Sequence, residues 1–300
     1  MDVRPDCLNA FPFFGGKTKL ARRIISLMPP HTIYVEPFAG SAAVMLSKPR
    51  VDTEVLSDND WQIVAALTYL RDYGKEAQQI LARYVPYSRT LSRTCRDLLR
   101  QPEKLASWRE AGLRFWIAQV QSFAGARDQA WGYTVRSAQH NTSATRSWHH
   151  RIASLSQIAD RLQNSIITWS DWLDTINAWD SPETLFYCDP PYVRQTIYKW
   201  PRQRPWTRTE HEELIKALLQ VRGYVILSGH DNAIYRKLEE ANWHRINITT
   251  ANWAKPQTSL ARRRRRQANV ESLWLNYPPT AAQYLIKKIA AQPRKEGRHE

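Results

Sequence analysis

The 300-residue sequence is short of cysteine, of acids and of long apolar runs, and each shortage closes a route. Cys7, Cys95 and Cys188 are few and scattered, which fits neither a disulfide framework nor a zinc site. A reducing, cytoplasmic compartment is expected. No uninterrupted apolar stretch is long enough to span a bilayer. The first ten residues, MDVRPDCLNA, lack the basic-then-apolar layout of a secretory leader, so neither a leader nor a membrane partner is expected. No metal-ligand cluster is apparent and no metal is expected. His140, His149, His150 and His211 are expected at the surface.

What is present is an ordinary globular composition, 43% hydrophobic and 24% charged, with enough apolar surface for a core. Acids number 28 against 43 Lys plus Arg, a net charge of +15, which favours a polyanionic partner such as nucleic acid. The excess is concentrated. VRQTIYKWPRQRPWTR (193–208) has five basic residues, no acid and interleaved rings, and ARRRRRQ (261–267) has five consecutive arginines. Rings beside arginine suit base stacking, although most of the 13 Trp are expected in the core.

Strand-type runs recur at 32–36, 53–57, 166–170, 184–188, 223–229, 243–249 and 270–276. Helical patterns lie between several of them, at 17–28, 60–73 and 208–221. This alternation predicts an α/β fold, a doubly wound sheet of about seven strands. Residues 74–164 are different: mostly helical, rich in Arg and Gln, with a polar middle (125–147) that reads as a long loop. They are expected to form a helical insertion in a discontinuous catalytic domain of residues 1–73 and 165–280. Residues 281–300 read as a basic C-terminal tail.

Three short segments carry chemistry. YVEPFAGSAAVML (34–46) places an acid at a strand end, then a Gly-containing turn and an apolar helix, a layout that presents backbone N–H groups to a polar ligand. It is not the dinucleotide fingerprint, because the spaced glycines are missing, and no Gly-Lys-Ser/Thr follows it as in a phosphate loop. The next strand ends in LSDND (56–60), where a doubly wound fold places its ribose-hydroxyl acceptor. Asp58 is preferred over Asp60 for that role, and either could instead cap the following helix. Upstream, Gly15-Gly16 in FPFFGGKTKLARRI (11–24) reads as a turn or, with Lys17, as a holder of a carboxylate or phosphate. FYCDPPYV (186–193) is a strand stopped by two prolines, presenting Asp189 and Tyr192 in a stiff loop.

FFGGK, YVEPFAGS, an acid after the next strand and FYCDPPY, in that order, resemble the Dam-like DNA N6-adenine methyltransferases of the D12 class. The similarity runs from about residue 11 to 277 and takes in VILSGHDN (225–232) and RRQANVESLWLN (265–276). The resemblance implies a Rossmann-like methyltransferase sheet, S-adenosylmethionine as cofactor and methyl transfer to the exocyclic amine of adenine in DNA. By position it implies cofactor contacts from Phe14, Gly15, Gly16 and Lys17, from Glu36, Pro37, Phe38, Ala39, Gly40 and Ser41, and from Asp58 and Asp171. Asp189, Pro190, Pro191 and Tyr192 would be the catalytic loop. One departure is Ala42 or Ala43, where family members usually carry a second glycine; binding is expected to survive it.

Phosphate contacts are expected from Arg194, Lys199 and Arg262, Arg263, Arg264, Arg265 and Arg266. Base readout is expected from the insertion, where Arg127, Gln129, Arg136, Gln139 and Asn141 are suitable types. The expected partners are double-stranded DNA and, in a restriction–modification setting, a cognate restriction endonuclease; the chain is expected to be a monomer. An N4-cytosine methyltransferase, an RNA adenine methyltransferase and an inactive DNA-binding homologue are the alternatives.

Overall fold

Each of the seven apolar runs forms a strand. In the computed structural model, which describes residues 8–13, 15–125, 131–132, 144–192, 206–250 and 269–279, they are β1 (Ile33–Glu36), β2 (Thr53–Asp58), β3 (Ile166–Trp169), β4 (Thr184–Cys188), β5 (Tyr224–Gly229), β6 (His244–Thr250) and β7 (Asn269–Leu275). They join in one sheet of order β3-β2-β1-β4-β5-β7-β6. Neighbours from β3 to β5 pair in parallel, whereas β7 runs antiparallel to both β5 and β6. The strand order reverses between β1 and β4, whose register pairs Val35 with Phe186. A doubly wound sheet opens a crevice at the carboxyl ends of its strands at such a point.

Alternation along the strands divides the core in two. On one face Tyr34, Leu56, Leu185, Tyr187 and Ile226 join a large apolar cluster. On the other, Val35, Val55, Phe186, Cys188, Val225 and Leu227 join a second. All five residues of β4 are buried, as expected of a central parallel strand covered on both sides.

The first cluster is covered by α1 (Ala21–Ile25), α2 (Ala43–Ser47), α3 (Trp61–Tyr84), α5 (Trp108–Val120) and α7 (Leu155–Leu162), with α4 (Arg89–Leu99) and α6 (Ala144–Ala153) packed outside. The second is covered by α8 (Trp172–Trp179), α9 (Arg208–Leu218) and α10 (Arg236–Glu240). At the crossing of α3 and α5, a Cβ on Gly112 would lie 2.3 Å from the Ala65 carbonyl oxygen. Only glycine allows that approach.

Three local expectations are corrected. The helix expected over 17–28 is a 3-10 turn at Lys17–Lys19 followed by the short α1. The helix expected over 60–73 continues unbroken to Tyr84, so the boundary expected between residues 73 and 74 falls inside α3. Residues 144–147, read as part of a long loop, begin α6. The described helices of the 74–164 segment share one apolar cluster with the sheet, with Trp116 and Trp148 among its largest fully buried side chains.

That packing positions the chain entering the crevice. The Trp116 indole N–H donates to the Ala10 carbonyl at 3.0 Å, and the Gln119 amide donates to the Pro12 carbonyl at 2.8 Å. The Ala10 amide donates to the Ser41 carbonyl on the other side. Residues 10–12 are thus held between α5 and the turn that follows β1.

Candidate active site

The crevice is lined first by the turn after β1. Gly40 (φ +48°) and Ala42 (φ 52°, ψ 31°) both adopt the left-handed region. Glycine does so freely, whereas alanine meets steric strain of about 1–2 kcal/mol. Of the two alanines standing where a glycine was expected, Ala42 is the one whose backbone asks for it. Glu36 anchors the turn: its Oε1 accepts from the Tyr34 hydroxyl and from the Met45 amide, each at 2.8 Å. Burial pushes the Glu36 carboxyl up to about 8, against the lowering effect of those two donors.

Asp58, at the end of β2, closes the same turn. Its Oδ2 accepts from the Gly40 amide at 3.0 Å and its Oδ1 from the Asp60 amide at 2.9 Å. The helix cap is Asp60, whose carboxylate accepts from the Gln62 amide. Asp171, after β3, is an exposed cap on α8, accepting from the Leu173 amide at 2.9 Å. Beside this row, the half-buried Phe38 ring stacks against Trp172 with centroids 6.4 Å apart, and Trp206 meets it edge-on at 5.3 Å. Sequence reasoning does not identify Trp172, next to Asp171, or Trp206, at the end of the basic aromatic stretch, as neighbours of this turn.

The second wall is the loop after β4. Asp189 is one-fifth exposed and is met by Lys17, 5% exposed, whose ammonium donates to Oδ1 at 2.8 Å, to Oδ2 at 2.7 Å and to the Gly15 carbonyl at 3.0 Å. Lys17, expected among the cofactor contacts, stands against the loop after β4. Its Nζ also lies 4.9 Å from the centre of the Tyr192 ring, which the His230 ring meets edge-on at 4.6 Å. Burial raises the Asp189 carboxyl above its ordinary range; the nearby Lys17 opposes the rise and a second carboxylate, Glu271, adds to it.

Glu271 was not singled out from the sequence. It lies on β7, the reversed strand, whose N-terminal end therefore sits at the carboxyl ends of β4 and β5. It is 8% exposed. Its Oε1 accepts from the Ser228 hydroxyl at 2.6 Å and from the Tyr192 hydroxyl, and lies 3.6 Å from Lys17 Nζ. The available signal was an acid inside the apolar run NVESLWL. Tyr187, on β4, is 2% exposed. Burial drives the phenols of Tyr187 and Tyr192 well above their ordinary range, and the Asp189 charge adds to it.

His211 corrects a further expectation. It is fully buried, not at the surface, with Nδ1 2.9 Å from the Tyr235 hydroxyl. With Leu214, Ile215 and Leu218 it forms the inward stripe of α9, a spacing visible in the sequence. Burial lowers its imidazole to about 4. His149 and His150 are exposed as expected. Phe14, Arg127, Gln129, Arg136, Gln139, His140, Asn141, Arg194, Lys199 and Arg262–Arg266 lie outside the described residues. Among the described residues no group of acids, cysteines and histidines could hold a metal ion. No described helix is long and apolar enough to cross a membrane.

A parallel sheet with an antiparallel final pair, an acid-ended first strand and an Asp-Pro-Pro-Tyr loop on its neighbour define a Rossmann-like methyltransferase. The D12 class N6 adenine-specific DNA methyltransferase family matches residues 13–252, and the chain belongs to it. No curated protein matches the chain. Glu271 lies beyond the matched span.

Proposed function

We propose that this chain methylates the N6 amine of adenine in DNA with S-adenosylmethionine as donor. The observation that carries the reading is the placement of Asp189 at the end of β4, directly beside the turn that follows β1 and opposite the Gly15–Lys17 segment.

The residues fit that cofactor. Gly15 (φ +78°) borders open space, since a Cβ built on it would meet no atom within 4 Å. Asp58 Oδ2 accepts from the Gly40 amide and Oδ1 from the Asp60 amide, and in this reading the carboxylate also accepts from the ribose hydroxyls. Gly15, Gly16, Glu36–Ser41, Asp58 and Asp171 would hold the cofactor, with the Phe38 and Trp172 rings beside its base. When bound, it supplies a methyl group made electrophilic by a sulfonium.

The chain's own part is to hold the acceptor. An adenine amine is a poor nucleophile because its lone pair is delocalised into the ring. Asp189 accepts one of its N–H groups and the Pro190 carbonyl the other, which favours a pyramidal nitrogen and stabilises the positive charge that develops there. Pro190 and Pro191 stiffen the loop where small displacements are costly. The target base leaves the duplex to reach this loop, and Tyr192 offers a ring for it to stack on. In this reading the 74–164 segment recognises the target sequence, and the basic stretches around Arg194–Lys199 and Arg262–Arg266 hold phosphates of double-stranded DNA.

The test is expression in a methylation-free host followed by sequencing that detects modified bases. N6-methyladenine in a defined context is expected. N4-methylcytosine alone, or no modification, overturns the reading.

A further inference from the structure

Both oxygens of Asp189 are already engaged by Lys17, which poses a problem for a carboxylate required to grip an amine. Each oxygen keeps a further lone pair, but an ammonium centred on one carboxylate alone neutralises its charge and weakens it as an acceptor for the amine. The structure contains the counterweight. Glu271 reaches the same ammonium from β7, 3.6 Å from Nζ, while Ser228 and Tyr192 hold its Oε1 in place. One cation thus faces two carboxylates, and the trio carries a net negative charge when both are ionised. The Tyr192 hydroxyl ties the same carboxylate to the catalytic loop, so Glu271 touches both things the chemistry depends on.

We propose that Glu271 is a positioning residue of the active site: it shares the charge of Lys17 with Asp189, keeping Asp189 a strong acceptor for the target amine, and it fixes the Tyr192 ring through the hydroxyl. The proposal rests on the reading of Asp189 as the amine acceptor. It explains why an acid is tolerated at a buried position of a strand otherwise packed with Leu273, Trp274 and Leu275. A buried carboxylate is costly unless paired and hydrogen-bonded, and this one is both.

The decisive variant is Glu271→Gln, which keeps an acceptor for Tyr192 and Ser228 and removes only the charge. Methyl transfer is expected to lose at least about tenfold in kcat, with KM for DNA and for cofactor changed by less than about threefold, the pattern of a group acting in the transition state. The acid limb of the pH–rate profile reports ionisation of Asp189. Among the described residues the titratable groups facing that carboxyl are Lys17, Glu271, Tyr192, Tyr187, Tyr235, Cys188 and Glu36. Glu271 raises the Asp189 carboxyl, so Glu271→Gln moves the limb to lower pH. Tyr192→Phe removes the donor that Glu271 accepts from, so Glu271 draws Lys17 more strongly away from Asp189 and the limb moves to higher pH.

The same two shifts are read without turnover by following the Asp189 carboxyl carbon by NMR in protein labelled at aspartate. Opposite displacements in the two variants support the proposal. Same-direction shifts, or none, overturn it, as does a Glu271→Gln enzyme with unchanged kcat. If Glu271→Gln does not fold, Tyr192→Phe decides: an unmoved Asp189 titration overturns the proposal. A wild-type chain that transfers no methyl to adenine defeats the functional reading instead, and the NMR titration still decides the coupling of Glu271 to Asp189.

Discussion

Lys17 and Asp189, 172 residues apart in sequence, form a two-pronged ion pair in which one ammonium lies within 2.8 Å of both carboxylate oxygens. It joins the Gly-Gly-Lys segment to the loop after β4 and sets the charge of the site. Replacing Lys17 with Met keeps the apolar stem and leaves Asp189 without its partner. Breaking a buried pair costs about 3–5 kcal/mol. Because Asp189 is one-fifth exposed, a loss of up to about 3 kcal/mol is expected here. The acid limb of the pH–rate profile should move to higher pH, because Lys17 lowers the Asp189 carboxyl. Denaturant unfolding and a pH–rate series check both parts.

Ala42 offers a test of the turn. In Ala42→Gly, relief of left-handed strain of about 1–2 kcal/mol is opposed by the loss of a buried methyl, about 0.8 kcal/mol. The added freedom of the unfolded chain costs about 0.5–1 kcal/mol more. Stability should therefore change by less than about 1 kcal/mol. Ala42→Val adds a β-branched side chain at φ 52° in a fully buried position and should cost at least about 2 kcal/mol. Chemical denaturation of the two variants gives the comparison.

His211 predicts a pH dependence of stability. Its folded value of about 4 lies below the ordinary 6.5, so the folded protein holds the ring neutral while the unfolded chain takes up a proton. The contribution is complete above about pH 6.5 and is lost as the pH falls towards 4, about 3 kcal/mol in all. The stability difference between wild type and His211→Asn, measured by denaturation from pH 7.5 to 4.5, should narrow as the pH falls. A constant difference contradicts the buried, neutral ring.

All seven strands were legible in the sequence because each is a short strand-type run, and the first five stop at Gly, Pro or an acid, a signal that is local. The acids that line the crevice were legible where they sit beside a strand end, as at Glu36, Asp58 and Asp189. What escaped depends on long-range register. Glu271 reads as one acid in an apolar run until the reversal of β7 turns it towards β4 and β5. Lys17 meets Asp189 only because α5 and the turn after β1 hold residues 10–12 between them. The unbroken length of α3 was missed because its outer turns look like the polar segment that follows. His211 is a different case: its inward spacing with Leu214, Ile215 and Leu218 was visible, and surface placement was inferred from polarity alone.

The central claim is that Asp189 grips the amine of adenine during methyl transfer. The most direct measurement incubates DNA and S-adenosylmethionine with wild type or with Asp189→Ala, then quantifies methylated nucleosides by mass spectrometry, with DNA affinity measured alongside. The account predicts N6-methyladenine from the wild type and none above background from Asp189→Ala, whose affinity for DNA stays within about threefold of wild type. N6-methyladenine formed by Asp189→Ala at the wild-type rate would contradict it.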